Sequence, residues 1–151
     1  MLPRVEYSVT VPVSVDAAFQ AFQNLDRLLH RGIYREVSWT EGKPWQVGSR
    51  LRFLIDKPVS ATVSAVVASS SPPRSVVLLY HALGITAEEH VTFGPDLKGG
   101  ARVHVTFEFL GTSPELSEEA INDVISFLAK DALDTVVDTC RPRRAGSASG
   151  E

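Results

Sequence analysis

One stretch sets the terms for the whole chain. Residues 113–139 are the only segment that reads as a long amphipathic helix. Ile121, Val124, Ile125, Leu128, Ala132 and Val136 recur three and four apart and share one face, while Asn122, Asp123, Lys130, Asp134 and Asp138 take the rest. Two starts are open. Ser113 offers an N-cap with Pro114 at the first helical position and Glu115 just inside; Ser117 offers another, with Glu118 and Glu119 in the positive field of the helix N-terminus. Arg141 and Pro142 close the segment. A helix with one apolar stripe needs a surface to cover, and nearly everything before it reads as strand.

Residues 4–13 alternate strictly. Val5, Tyr7, Val9, Val11 and Val13 fall on one side and Arg4, Glu6, Ser8 and Thr10 on the other, the pattern of a half-buried strand. Ser14 then reads as an N-cap, with Asp16 in the first turn, for a short helix through Ala17, Ala18, Phe19, Ala21 and Phe22. Asn24 breaks it, and residues 25–30 predict a second short helix ending near Gly32. Strands are predicted over 34–40, 50–55, 59–69, 75–83, 85–93 and 101–110. Between them lie a turn at 41–44, a turn at 56–58, a Ser/Pro loop at 69–73, a tight turn at Gly84 and a Gly-rich turn at 94–100. Connections this short imply antiparallel meanders. The expected fold class is therefore α+β: strand, two short helices, six strands, one long helix. No internal repeat or domain boundary interrupts this order.

That order, together with the opening run Val11-Pro12-Val13-Ser14-Val15-Asp16-Ala17-Ala18-Phe19 and the stretch Trp45-Gln46-Val47-Gly48-Ser49 before a strand, resembles the START-like or Bet v 1-like (SRPBCC) superfamily, which includes polyketide cyclases and dehydrases. The resemblance runs from Arg4 to Thr139. It implies a helix-grip fold, a curved seven-stranded antiparallel sheet wrapped around the long C-terminal helix, with a ligand cavity between them. On that basis residues 1–140 are expected to form a single ligand-binding domain and residues 141–151, small and polar, a disordered tail. The resemblance does not fix one reaction, because this fold hosts carriers, lipid binders, cyclases and chaperone regulators.

Composition narrows the partners. A net charge of −3 over 151 residues gives no ground for nucleic-acid binding. No apolar run is long enough to span a bilayer, Met1-Leu2-Pro3-Arg4 is not the opening of a signal peptide, and a cytoplasmic location is expected. Cys140 is the only cysteine, so neither an internal disulfide nor a cysteine zinc cluster can form. Motifs for phosphate loops, nucleophile elbows and HExxH zinc binding are missing. The expected partner is a small hydrophobic ligand, lipid-like or polyketide-like; a homodimer stays open.

Candidate site residues follow from the strand faces. If the hairpin turns symmetrically about Gly84, Tyr80 lies opposite Glu88, and Val77, Leu79, His81, Ala87, Glu89 and Val91 share a face. His81 and Glu89 would then be a tuned acid/base pair among aliphatic neighbours; a slip of one residue would turn them to solvent. The expected cavity wall is Tyr34, Phe53, Leu79, His81, Glu89, Val91, Val105 and Phe107 from the sheet, with Ile121, Val124, Ile125 and Leu128 from the helix. For a cyclase or dehydratase the catalytic candidates are His81, Glu89 and Tyr34. His30, Arg31 and Tyr34 border the expected mouth and could hold a polar ligand end, as arginine holds carboxylates. His90 and His104, near Glu88 and Thr106, are donors suited to zinc or iron, but they share the polar side of Val103, Val105 and Phe107. No metal or other cofactor is expected. Trp39 and Trp45 read as packing residues, Arg52 and Asp56 as outer-face residues, and Arg141, Arg143 and Arg144 as partners of the helix C-terminus. Cys140 reads as inert, with no activating neighbour. The third reading, a protein-interaction module, would need a large exposed apolar patch.

Overall fold

The structure, a computed structural model, describes residues 4–57, 60–82, 84–111 and 117–141. Seven strands form one antiparallel sheet: β1 (Arg4–Val11), β2 (Tyr34–Glu41), β3 (Arg50–Ile55), β4 (Ala61–Ser71), β5 (Ser75–Ala82), β6 (Ile85–Pro95) and β7 (Ala101–Gly111). Their spatial order is β1-β7-β6-β5-β4-β3-β2, so β2 through β7 run as a meander and β1 closes against the last strand. Helix α1 (Val15–Gln23) and a 3₁₀ helix (Leu25–His30) lie between β1 and β2, and helix α2 (Glu118–Cys140) ends the described chain.

Local chemistry accounts for the helix boundaries. Ser14 Oγ accepts from the Ala17 amide and Ser117 Oγ from the Ala120 amide, so both serines cap orphan N–H groups. Asn24 ends α1 with extended backbone and also caps the 3₁₀ helix through the Asp26 amide. Of the two starts open to α2, Ser117 is the one used; Ser113, Pro114 and Glu115 lie outside the described residues, as do Val59, Pro142, Arg143, Arg144 and the rest of the expected tail.

Two strand expectations need correction. The serines at 69–71 belong to β4, paired with Val77, Val76 and Ser75, and only Pro72 to Arg74 make the turn. The β5–β6 hairpin is not symmetric about Gly84. Ala82 pairs with Ile85, which leaves a two-residue connection, and Tyr80 sits opposite Ala87, not Glu88. Two-residue connections match the twist of a hairpin best, and Gly84 supplies the left-handed backbone (φ +76°) such a turn requires.

The inner face of the sheet carries the core. Val5 and Val11 from β1, Leu51 and Phe53 from β3, Ala65 and Val67 from β4, Val76 and Leu78 from β5, Val91 and Phe93 from β6, and Val103 to Phe109 at alternate positions of β7 are all buried. Helix α1 adds Phe19 and Phe22, whose rings meet Phe93 edge-on at 5.1 and 5.6 Å. Helix α2 lies chiefly along β1, with further contacts to α1, β7 and the 3₁₀ helix. Ile121, Ala129, Leu133 and Val136 seal it down, while Val124, Ile125, Leu128 and Ala132 stay half-buried. No helix among the described residues is long and apolar enough to cross a membrane.

Candidate ligand cavity

The half-buried part of α2 roofs a cavity of about 90 Å³. Val124, Ile125, Leu128 and Ala132 face Phe53, Ile55, Ala61 and Val63 from β3 and β4, and Leu78, Tyr80, Ala87, Glu89 and Phe107 from β5 to β7. Phe22, Leu25, Arg27, Leu28, Tyr34 and Trp45 complete the wall. Tyr34, Phe53, Tyr80 and Phe107 run in sequence around it, with successive ring centroids 5.8, 5.9 and 5.8 Å apart. Trp45 holds a left-handed backbone (φ +65°), uncommon for an aromatic residue. Its indole N–H donates to the Gln23 carbonyl at 3.1 Å, and its ring packs on Trp39 and Phe22.

A small polar group is set into this apolar lining. Glu89 is 3 % exposed, and the Tyr80 hydroxyl donates to its Oε1 at 2.7 Å. Burial raises its carboxyl to about 7, against the lowering effects of the Tyr80 hydrogen bond and of Arg27. Tyr80 and Tyr34 are both pushed well above the ordinary phenol range, first by burial and then by the nearby Glu89 charge.

Arg27 is the more unusual member. It is 7 % exposed, and its Nε and Nη1 have no hydrogen-bond partner. Its guanidinium carbon stands 5.0 Å from the centre of the Phe22 ring, a cation–π contact. Burial lowers its pKa to about 10, which leaves it charged at neutral pH; Tyr34, Glu89, Tyr80 and Asp131 pull the other way. On α2, Asp131 is 5 % exposed, and burial raises its carboxyl. Arg31 Nε lies 3.0 Å from Asp131 Oδ1, an ion contact without hydrogen-bond alignment, so both carboxylate oxygens lack a hydrogen bond. Arg31 Nη1 also reaches Asp138 Oδ2 at 3.2 Å, tying the end of the 3₁₀ helix to α2.

Of the residues proposed from sequence, Tyr34, Phe53, Glu89, Phe107, Val124, Ile125 and Leu128 line the cavity. Val91, Val105 and Ile121 are buried in the packed core and lie outside its wall. The one-residue difference in hairpin register turns Leu79 and His81 to the outer face and brings Leu78 and Tyr80 inward. His81 is exposed, with its Nδ1 3.1 Å from Thr86 Oγ1, so the proposed His81–Glu89 pair does not form. Arg31 makes its ion pairs on α2 and His30 is exposed; the arginine in the wall is Arg27. His90 and His104 are not opposed either. His90 pairs with Thr106 and bonds Glu88 at 2.6 Å, while His104 pairs with Thr92 and contacts Ser8 and Glu6. No cluster suited to a metal occurs among the described residues. Arg52 meets Glu36 at 2.8 Å and Asp56 meets Arg35 at 3.1 Å, both on the outside. Cys140 is buried, and burial raises its thiol pKa.

Sequence reasoning passed over Arg27, Tyr80 and Asp131. For Asp131 a signal was present, since it follows Val124 and Leu128 at seven and three residues and so falls on the apolar stripe. For Arg27, in a six-residue 3₁₀ helix, periodicity has too little length to act.

No protein-family model matches this chain, and no curated protein matches it in sequence. Solved structures do. The Zhui aromatase/cyclase from Streptomyces sp. R1128 superposes with a TM-score of 0.79 at 15 % identity, covering 97 % of this chain and 98 % of that one. A truncated norcoclaurine synthase from Thalictrum flavum gives 0.73 at 12 % identity over 94 % and 95 % of the two chains. A START superfamily protein from Mycobacterium smegmatis gives 0.71 at 10 % over 91 % and 96 %. Likeness at these identities defines the fold: this chain has the START-like, Bet v 1-like helix-grip fold, as its order of elements led us to expect.

Proposed function

We propose that this protein binds a small hydrophobic molecule, lipid-like or polyketide-like, between the sheet and α2. The observation that carries this reading is an aromatic and aliphatic cavity with a few convergent polar groups, the usual make-up of a small-molecule site. Its size matters. Ligand pockets start at about 300 Å³, so the 90 Å³ present here must widen to take a ligand of ordinary size. Left dry, a void of this size would destabilise the fold by roughly 2 kcal/mol, which a domain can bear. A larger ligand requires Val124, Ile125 and Leu128 to yield, and these are the helix residues left half-buried. L128W is the direct test. Native mass spectrometry and a panel of apolar fluorescent probes should show saturable binding by the wild type. Capacity should fall in L128W, with a stability loss below about 1 kcal/mol, because the indole enters vacant space; in a filled core, overpacking would destabilise by about 1–3 kcal/mol. No saturable binding of any probe to the wild type removes the reading.

A second reading, a cyclase or dehydratase, rests on Glu89. A carboxyl half-ionised near neutral pH, bonded to a phenol inside an apolar cavity, can take a proton and return it. An aromatase/cyclase is among the similar structures. Turnover of a poly-β-ketone analogue should vanish in E89Q while binding persists; turnover that survives the substitution takes Glu89 out of the chemistry.

A further inference from the structure

Resting on the binding reading above, we propose that the ligand is a weak organic acid whose anionic group, a carboxylate or its enolate equivalent, seats on the buried guanidinium of Arg27. The wall of the cavity contains this residue, which is 7 % exposed, and neither its Nε nor its Nη1 has a hydrogen-bond partner. A buried charge without a partner is strongly disfavoured, and native interiors almost always supply one. Here the neighbours do not. Glu89 Oε1 is taken up by Tyr80, Asp131 is in contact with Arg31, and neither carboxylate forms an ion pair with Arg27. The Phe22 ring centre lies 5.0 Å from its guanidinium carbon. The Nε–H and the Nη1 N–H groups leave different edges of the guanidinium, and each is a charged donor that an anionic oxygen satisfies better than a neutral acceptor does. The surrounding Leu28, Tyr34, Phe53 and Leu128 would take the apolar body.

Charge in the rest of the site is compatible with an anion. The groups grouped around Arg27 are Tyr34 from β2, Tyr80 from β5, Glu89 from β6 and Asp131 from α2. Both phenols stay protonated, Asp131 has Arg31 beside it, and burial lifts Glu89 to about 7. Below that pH Glu89 is neutral and does not repel an acid. Binding should therefore be tighter at pH 6 than at pH 8.

The test uses two matched pairs, benzoate with benzamide and octanoate with octanamide, titrated into the full chain at pH 6 and followed by amide chemical shifts. At least one acid should bind about tenfold or more tightly than its amide, and Arg27→Met should remove that preference. Arg27→Lys, which keeps the charge but not the planar, multiply donating guanidinium, should restore only part of it. Equal affinity of acid and amide in the wild type overturns the acid assignment and leaves the apolar-ligand reading standing. Binding of neither member of either pair overturns both. The wild-type comparison needs no variant, so a misfolded substitution cannot mask the answer.

Discussion

Arg27 and Glu89 show how the surroundings of a residue, and not its type, set its role. A buried guanidinium with two unpartnered nitrogens works against folding. We predict that Arg27→Met, measured without ligand at pH 6, unfolds at equal or higher urea concentration, with a gain of up to about 1–3 kcal/mol. A loss of more than about 1 kcal/mol would instead mark Arg27 as a packing residue held through Phe22. For Glu89 the sign follows from proton counting. The folded carboxyl titrates near 7 against an ordinary 4.5, so between those pH values the folded chain holds the extra proton. Its contribution to stability is thus complete below about pH 4.5, declines as pH rises to about 7 and is then constant, a difference of roughly 3 kcal/mol. Wild-type minus E89Q stability from urea melts should follow that decline; a flat difference would show that the carboxyl is not shifted. In the sequence Glu89 was legible as a cavity residue because it alternates with Ala87 and Val91. Arg27 was not, because its burial is imposed by Phe22, Tyr34 and α2, all distant in sequence or on other elements.

At the scale of the elements, the β5–β6 hairpin decides which chemistry enters the cavity. Alternation told which residues of β5 share a face but not which face, since Ser75–Ala82 is apolar on both sides. The turn resolved it: a two-residue connection instead of a symmetric one exchanged Leu79 and His81 for Leu78 and Tyr80. This gives a paired prediction. Leu78→Ala, at a position 2 % exposed, should destabilise by about 2–5 kcal/mol, whereas His81→Ala should fall within about 0.5 kcal/mol of wild type and leave probe binding unchanged. Reversed sensitivities in thermal melts would restore the other register. For α2, the 3.6-residue period located the helix and its apolar stripe. It could not separate residues that seal the helix, such as Ile121 and Val136, from those that roof the cavity, because that depends on how far the sheet curves away beneath.

For the whole molecule, the order of elements carried most of the information. Strand alternation, two capped short helices and one long helix gave the α+β order, and the resemblance of that order and the opening run to the START-like superfamily implied the helix-grip architecture. The polar contents of the cavity were hidden, since they meet only after seven strands and three helices converge. One feature of the topology bears on how the chain folds. In the ordered sheet β1 pairs with β7, Arg4 opposite Glu108 and Val11 opposite Ala101. During synthesis β1 therefore waits while roughly 100 residues are made, on the order of 5–20 s at typical elongation rates. Closure of so long a loop belongs late on the folding path. Pulse-labelled hydrogen exchange during refolding should find β4–β6 amides protected first and those of β1 last; early protection of β1 would rule this order out. Until β1 arrives, β7 is a bare sheet edge and α2 lacks its main support. The nascent protein then exposes the apolar face that will line its cavity, and it is in that interval that a chaperone has most to contribute.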